Sequence, residues 1–97
     1  MDVRIQPIHF EVASHLVEFI NKKADKLARR YPSMSDFDVT LKVVKPETAK
    51  NKEIVLRVTI PQFPDSVATK TADSFEEALD LAIEAVERQL EKNKEKK

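Results

Sequence analysis

Apolar residues recur in two rhythms along the chain: every second residue in four short stretches, and every third or fourth in two longer ones. Val3 and Ile5, then Ile8, Phe10 and Val12, alternate imperfectly over residues 3–12. They predict a first strand whose second half is disturbed by Pro7, which has no N–H for a ladder and suits an edge or a strand end. Leu16, Ile20, Ala24, Leu27 and Tyr31 then step by three and four, with Val17 and Phe19 widening the stripe. This spacing predicts an amphipathic helix of about four turns. Ser14 is its expected N-cap, and Pro32 stops it, because the residue before a proline disfavours the helical region.

Phe37, Val39, Leu41 and Val43 alternate with Asp38, Thr40, Lys42 and Val44, predicting a strand with one buried face that ends at Pro46. Residues 47–51 read as a polar turn. Ile54, Leu56, Val58 and Ile60 make a third strand, paired with the second as a hairpin. Pro61-Gln62-Phe63-Pro64-Asp65 breaks it, and residues 66–72 form a short fourth strand. Its inward face is either Val67, Thr69 and Thr71 or Ala68 and Ala72. Ser74-x-x-Glu77 is a capping box, and Asp73 adds charge at the positive end of the helix dipole. Phe75, Leu79, Ala82, Val86 and Leu90, flanked by Ala78 and Ile83, carry a second helix to about Asn93, with a frayed basic tail over about 94–97.

The element order predicts an α+β fold, β-α-β-β-β-α: a four-stranded mixed sheet with two helices packed on one face. Each helix has one apolar stripe and no other partner. The first crossover is expected to be parallel and right-handed, and the later strands antiparallel. The 97 residues are expected to form a single domain.

Composition removes whole classes of function. With no cysteine, there is no disulfide framework, thiolate zinc site or cysteine nucleophile. With no glycine, Walker-type loops, GxGxxG turns and the G-x-S-x-G elbow are excluded. No apolar run approaches the roughly 18–20 residues of a membrane span. The start, Met1-Asp2-Val3-Arg4, lacks the basic and apolar regions of a secretory signal, so a cytoplasmic protein without membrane contact is expected.

Lys plus Arg and Asp plus Glu are 17 each, a formal net charge of zero that speaks, as an average, against a nucleic-acid binder. The charge is nevertheless segregated. Residues 15–31 hold Lys22, Lys23, Lys26, Arg29 and Arg30 against two acids; residues 73–87 hold six acids and no base; residues 88–97 are basic again. A Debye length of about 8 Å at physiological salt isolates such patches, so a neutral total does not forbid a phosphate site. Bases at a helix C-terminus and acids at its N-terminus also satisfy the macrodipole. On composition alone, that solvated, dipole-complementing reading outweighs a phosphate-binding one.

Catalytic chemistry has no signature. His9 and His15 lack metal-ligand spacing. Glu76, Asp80, Glu84 and Glu87 share a helical face and read as a solvated stripe. The serines sit at caps, loops and strand ends with no base beside them. No metal, cofactor, small-molecule substrate or enzymatic activity is expected. Phe63 alone looks free to stack on a base, and it would equally staple its loop to the sheet. This aromatic poverty favours recognition of shape and phosphate over sequence.

The chain resembles the short form of the ribosome hibernation-promoting factor family, which includes the ribosome-associated inhibitor proteins. The carrying residues are Leu16-Val17-Glu18-Phe19, Lys23-Ala24-Asp25-Lys26-Leu27, Val39-Thr40-Leu41-Lys42-Val43, Val67-Ala68-Thr69, Ala78-Leu79-Asp80 and Glu87-Arg88-Gln89-Leu90-Glu91-Lys92. The likeness is loose between Lys45 and Asp65. It implies the same element order, and binding to the small ribosomal subunit between head and body, where messenger RNA and the aminoacyl and peptidyl tRNAs pass. Translation is then stopped by occlusion. The family's rRNA-facing bases correspond here to Lys23, Lys26, Arg88 and Lys92. Lys22, Arg29, Arg30 and Lys94 join them by position on the same basic helix ends.

Glu76 stands where many members have a tyrosine, and prolines replace the glycines of the hairpin turns. The chain ends at Lys97, so the domain by which long forms pair ribosomes is not expected. The partner expected is the small subunit, through its rRNA and secondarily its proteins, bound by a chain that is monomeric when free. A protein-interaction module and a generic double-stranded-RNA-binding domain are the alternatives.

Overall fold

The computed structural model of the chain describes residues 1–44 and 50–95, with side chains through Lys92. Its elements are β1 (Asp2–Pro7), α1 (Ser14–Arg30), β2 (Asp36–Val43), β3 (Lys52–Thr59), β4 (Ser66–Ala72) and α2 (Phe75–Glu95). The α+β order expected from periodicity is the order found. The sheet runs β1-β2-β3-β4, with β1 parallel to β2 and the remaining neighbours antiparallel. Pro46 and most of the polar turn at 47–51 lie outside the described residues.

Register puts the core on one face. Ile5 lies beside Val39, Val39 beside Leu56 and Leu56 beside Ala68. Phe37, Val39 and Leu41 of β2 and Ile54, Leu56 and Val58 of β3 are fully buried there. On β4 the inward residues are Ser66, Ala68 and Ala72, while Val67 stays 47% exposed. A period of two leaves that choice open. Close approach of α2 decides it, because a helix carrying Ala78, Ala82 and Val86 needs small residues beneath it. Leu16, Ile20, Ala24 and Leu27 of α1 and Leu79, Ala82, Val86 and Leu90 of α2 complete the core.

Three expectations are corrected, and the alternative left open for Phe63 is decided. β1 ends at Pro7 and does not run to residue 12. Ile8 N–H still donates to the Leu41 carbonyl at 2.9 Å, but His9 then takes φ 65° and turns the chain off the sheet. Phe10 consequently stacks on Phe75 at the start of α2, with centroids 5.4 Å apart and planes at 7°. Ser14 is not the N-cap of α1: Ala13 is, and its carbonyl accepts from Leu16 and Val17 N–H at 3.0 and 3.1 Å. Ser14 is already helical, so its hydroxyl cannot reach the first-turn N–H groups that a capping side chain meets. Val43, expected to face inward, is 37% exposed at the end of β2. Phe63 is not free for stacking; it packs half-buried against the core and staples its loop.

The serine half of the expected capping box is present: Glu77 N–H donates to Ser74 Oγ at 3.2 Å. Asp73 Oδ1 accepts Lys50 N–H at 2.8 Å, tying the start of α2 to the start of β3.

Topology also fixes the helix directions. α1 leads from β1 back to the start of its parallel neighbour β2, so it runs against both strands. Two reversals bring β4 into the direction of β2, and α2 turns back over β4. The two helices are therefore parallel, with both C-terminal ends at one end of the molecule.

Candidate nucleic-acid interface

The bases of α1 all fall on one flank. With a 3.6-residue period, Lys22, Lys23, Lys26, Arg29 and Arg30 occupy about a third of the circumference. Lys23 and Arg30 are nearest the core and nearest α2. Lys22, Lys26 and Arg29, at i, i+4 and i+7, form an outer strip in which every side chain is exposed.

The acids of α2 also share one flank: Glu76, Asp80, Glu84, Glu87 and Glu91. Because the helices are parallel, this flank lies against the basic flank of α1. Lys23 Nζ is 2.9 Å from Asp80 Oδ1. Arg30, two turns further on, binds Glu87 and reaches Glu91 at 3.4 Å. Rings hold the same bases from below, Lys23 at 5.2 Å over Phe19 and Arg30 at 5.9 Å over Tyr31. Between the helices lies a groove of about 240 Å³, with Lys23, Lys26 and Arg30 on one wall, Asp80, Glu84 and Glu87 on the other, and Leu27 and Ile83 beneath. The acidic stripe, read from sequence as merely solvated and as separate from the basic helix end, is thus an ion-pairing partner of α1. Linear segment charges could not show this, because the parallel packing places residues 23–30 beside residues 80–91.

The candidate bases divide into groups. Lys23, Arg30 and Arg88 are engaged with carboxylates, Arg88 through Glu84 at 3.2 Å. Lys22, Lys26, Arg29 and Lys92 have no ion pair among the described residues. Arg88 and Lys92 lie across the acidic ridge from α1, so carboxylates separate the candidate bases of α2 from those of α1. Lys94 falls in the last turn of α2, and its side chain lies outside the described residues. Exposed ion pairs of this kind stabilise by about 0–1 kcal/mol each; their main effect is to position side chains and shape the local potential.

The ridge also acts on Tyr31. Burial raises its phenol pKa above the usual 10.0; Arg30 opposes this, and Glu91 and Glu87 add to it.

The open face of the sheet is a weaker candidate. Arg4 is held among Asp36 at 3.2 Å, Asp38 at 3.1 Å and Asp2 at 3.9 Å. Arg57 is bound to Asp65. Among the described residues, no continuous basic strip crosses it. Among the described residues, no group of three potential metal ligands forms, and no helix is long and apolar enough to cross a membrane.

The family described as "Sigma 54 modulation protein / S30EA ribosomal protein" matches residues 3–97. Solved structures that share the fold include two that match almost the whole chain. One is a ribosomal subunit interface protein from Coxiella burnetii: TM-score 0.84, 20% identity, covering 97% of this chain and 98% of that one. The other is the N-terminal domain of Protein Y from Thermus thermophilus: TM-score 0.77, 16% identity, covering 95% of this chain and 98% of that one.

Proposed function

From the chain's membership of the Sigma 54 modulation protein / S30EA ribosomal protein family, the family of ribosome-hibernation proteins that its sequence resembles, we propose that it is a ribosome-associated translation inhibitor. It binds rRNA of the small subunit in the channel of messenger RNA and tRNA, stabilises idle ribosomes by filling that channel, and performs no reaction. The observation that carries the reading is the exposed strip Lys22, Lys26 and Arg29 on α1, unpaired among the described residues. Four bases, counting Lys92, would give a salt slope of roughly −3 to −4, since each neutralised phosphate releases condensed counterion. The Coxiella burnetii neighbour, named for the ribosomal subunit interface, supports the ribosome as the partner.

The test is co-sedimentation with purified small subunits at rising KCl, alongside cross-linking to the intact subunit. Binding at low salt that falls steeply, competes with bound messenger RNA and is lost in Lys22→Glu/Lys26→Glu/Arg29→Glu is the expected result. Absence from the subunit fraction at low salt would overturn the proposal. Equal binding to any long RNA duplex would favour the generic duplex-binding alternative, and a salt-tolerant protein partner would favour an interaction module.

A further inference from the structure

A phosphate-binding surface is not ordinarily built with carboxylates through its middle. Here Asp80, Glu84, Glu87 and Glu91 run along α2 between the outer strip of α1 and the pair Arg88 and Lys92. Three of these carboxylates hold Lys23 and Arg30, whose rings beneath keep them at the groove. An RNA phosphate reaching Lys23 or Arg30 must displace a carboxylate already in place, and must then tolerate that carboxylate nearby. Like-charge juxtaposition of this sort discriminates against wrong partners rather than strengthening the right one.

We propose that the Asp80–Glu84–Glu87–Glu91 ridge is a specificity element: it withholds Lys23 and Arg30 from generic RNA. Only a surface that presents phosphates to both sides of the ridge at once then binds well. This rests on the proposed ribosomal role for its biological sense, but the electrostatic claim stands on the ion pairs themselves. A continuous duplex laid on α1 meets three bases that are unpaired among the described residues, and then a wall of negative charge. A folded rRNA surface with phosphate tracks on either side of a gap meets bases on both sides.

The experiment compares three proteins: wild type, a ridge variant (Asp80→Asn, Glu84→Gln, Glu87→Gln, Glu91→Gln), and a charge-matched control (Glu11→Gln, Glu18→Gln, Asp25→Asn, Glu53→Gln). Each is titrated with an unrelated RNA duplex and with small subunits across a KCl series, and its melting temperature is recorded. The ridge variant is expected to bind the unrelated duplex about tenfold or more tightly than the control does, with a salt slope steeper by about two to three, one for each of the freed bases Lys23, Arg30 and Arg88 that meets a phosphate. Its preference for subunits over duplex falls accordingly. An equal gain in the control would mean that total charge alone matters and would overturn the proposal, as would unchanged duplex affinity in a ridge variant that melts normally. If the four-fold variant melts below working temperature, Glu87→Gln/Glu91→Gln alone frees Arg30 and is expected to steepen the duplex slope by about one; no change there is equally fatal. Failure of wild type to bind subunits would refute the ribosomal role while leaving the duplex comparison to judge the ridge.

Discussion

Gln89 on α2 grips the backbone of Val67 on β4 from both sides: its Nε2 donates to the Val67 carbonyl at 2.9 Å, and its Oε1 accepts the Val67 N–H at 3.3 Å. β4 is an edge strand, and these are groups that point away from β3. A helix side chain thus closes part of an edge that would otherwise be open to strand addition. Gln89→Ala is expected to cost about 1 kcal/mol, since both backbone groups regain water when the amide is removed. Denaturant melts would show the loss. Hydrogen exchange would show faster opening at Val67 than at the central strand β3, and uniform exchange across the sheet would refute the edge role.

The turn after β3 is under backbone strain. Phe63 N–H donates to the Ile60 carbonyl at 3.1 Å, with Pro61 at the second position and Gln62 at φ 77° in the third, where a type II turn favours glycine. The left-handed conformation costs an ordinary residue roughly 1–2 kcal/mol, partly offset by the entropy glycine loses on folding. Gln62→Gly is expected to raise stability by about 0.5–1 kcal/mol, read as a higher denaturant midpoint at unchanged slope.

Ser66 is buried where β4 meets the core, and its Oγ has no hydrogen-bond partner among the described residues. An unpaired buried hydroxyl costs about 1–3 kcal/mol. Ser66→Ala is therefore expected to be neutral or stabilising by up to about 1 kcal/mol, because the lost packing is one atom. A drop in melting temperature would reveal a partner for the hydroxyl.

Tyr31 gives an alkaline signature. Its folded pKa lies above the usual 10.0, chiefly through burial. The neutral phenol is favoured in the folded state, so its contribution is complete below pH 10.0 and declines as pH rises through the folded value. Tyr31→Phe cannot ionise, and its melting temperature is expected to fall less between pH 9 and 11 than that of wild type. Parallel pH profiles would dismiss the assignment.

Arg29 and Arg30 are neighbours with opposite expected roles. Arg29 is exposed and unpaired among the described residues, whereas Arg30 is held by Glu87 and Glu91. Arg29→Ala is expected to weaken subunit binding and to reduce the salt slope by about 1. Arg30→Ala is expected to change binding less, and to cost up to about 1 kcal/mol of stability through its lost pairs. Reversed effects on binding would mean that the inner bases, not the outer strip, meet the phosphates.

Much of this molecule was legible from periodicity. Leu16, Ile20, Ala24 and Leu27 declared their helix and its buried face, and Phe37, Val39 and Leu41 declared their strand, because burial imposes a repeat that local spacing records. Ser74 and Glu77 marked the start of α2, because a cap is a local bond. The eight candidate bases were visible as residue types, and the stripe of acids was visible too. Their relation was not. That Lys23 meets Asp80 and Arg30 meets Glu87 depends on parallel helices, which follow from the sheet order rather than from either helix. Offsets of seven residues in both helices were a clue, readable only once the directions were known.

Short-range spacing along the chain carried the order of the elements, most of the core and the supply of charge, since each is set by neighbours a few residues apart. Tertiary structure alone decided which face of β4 turns inward, that Gln89 covers a strand edge, and which bases stay free. Those outcomes depend on distances between residues far apart in the chain, and electrostatic interaction follows distance in space.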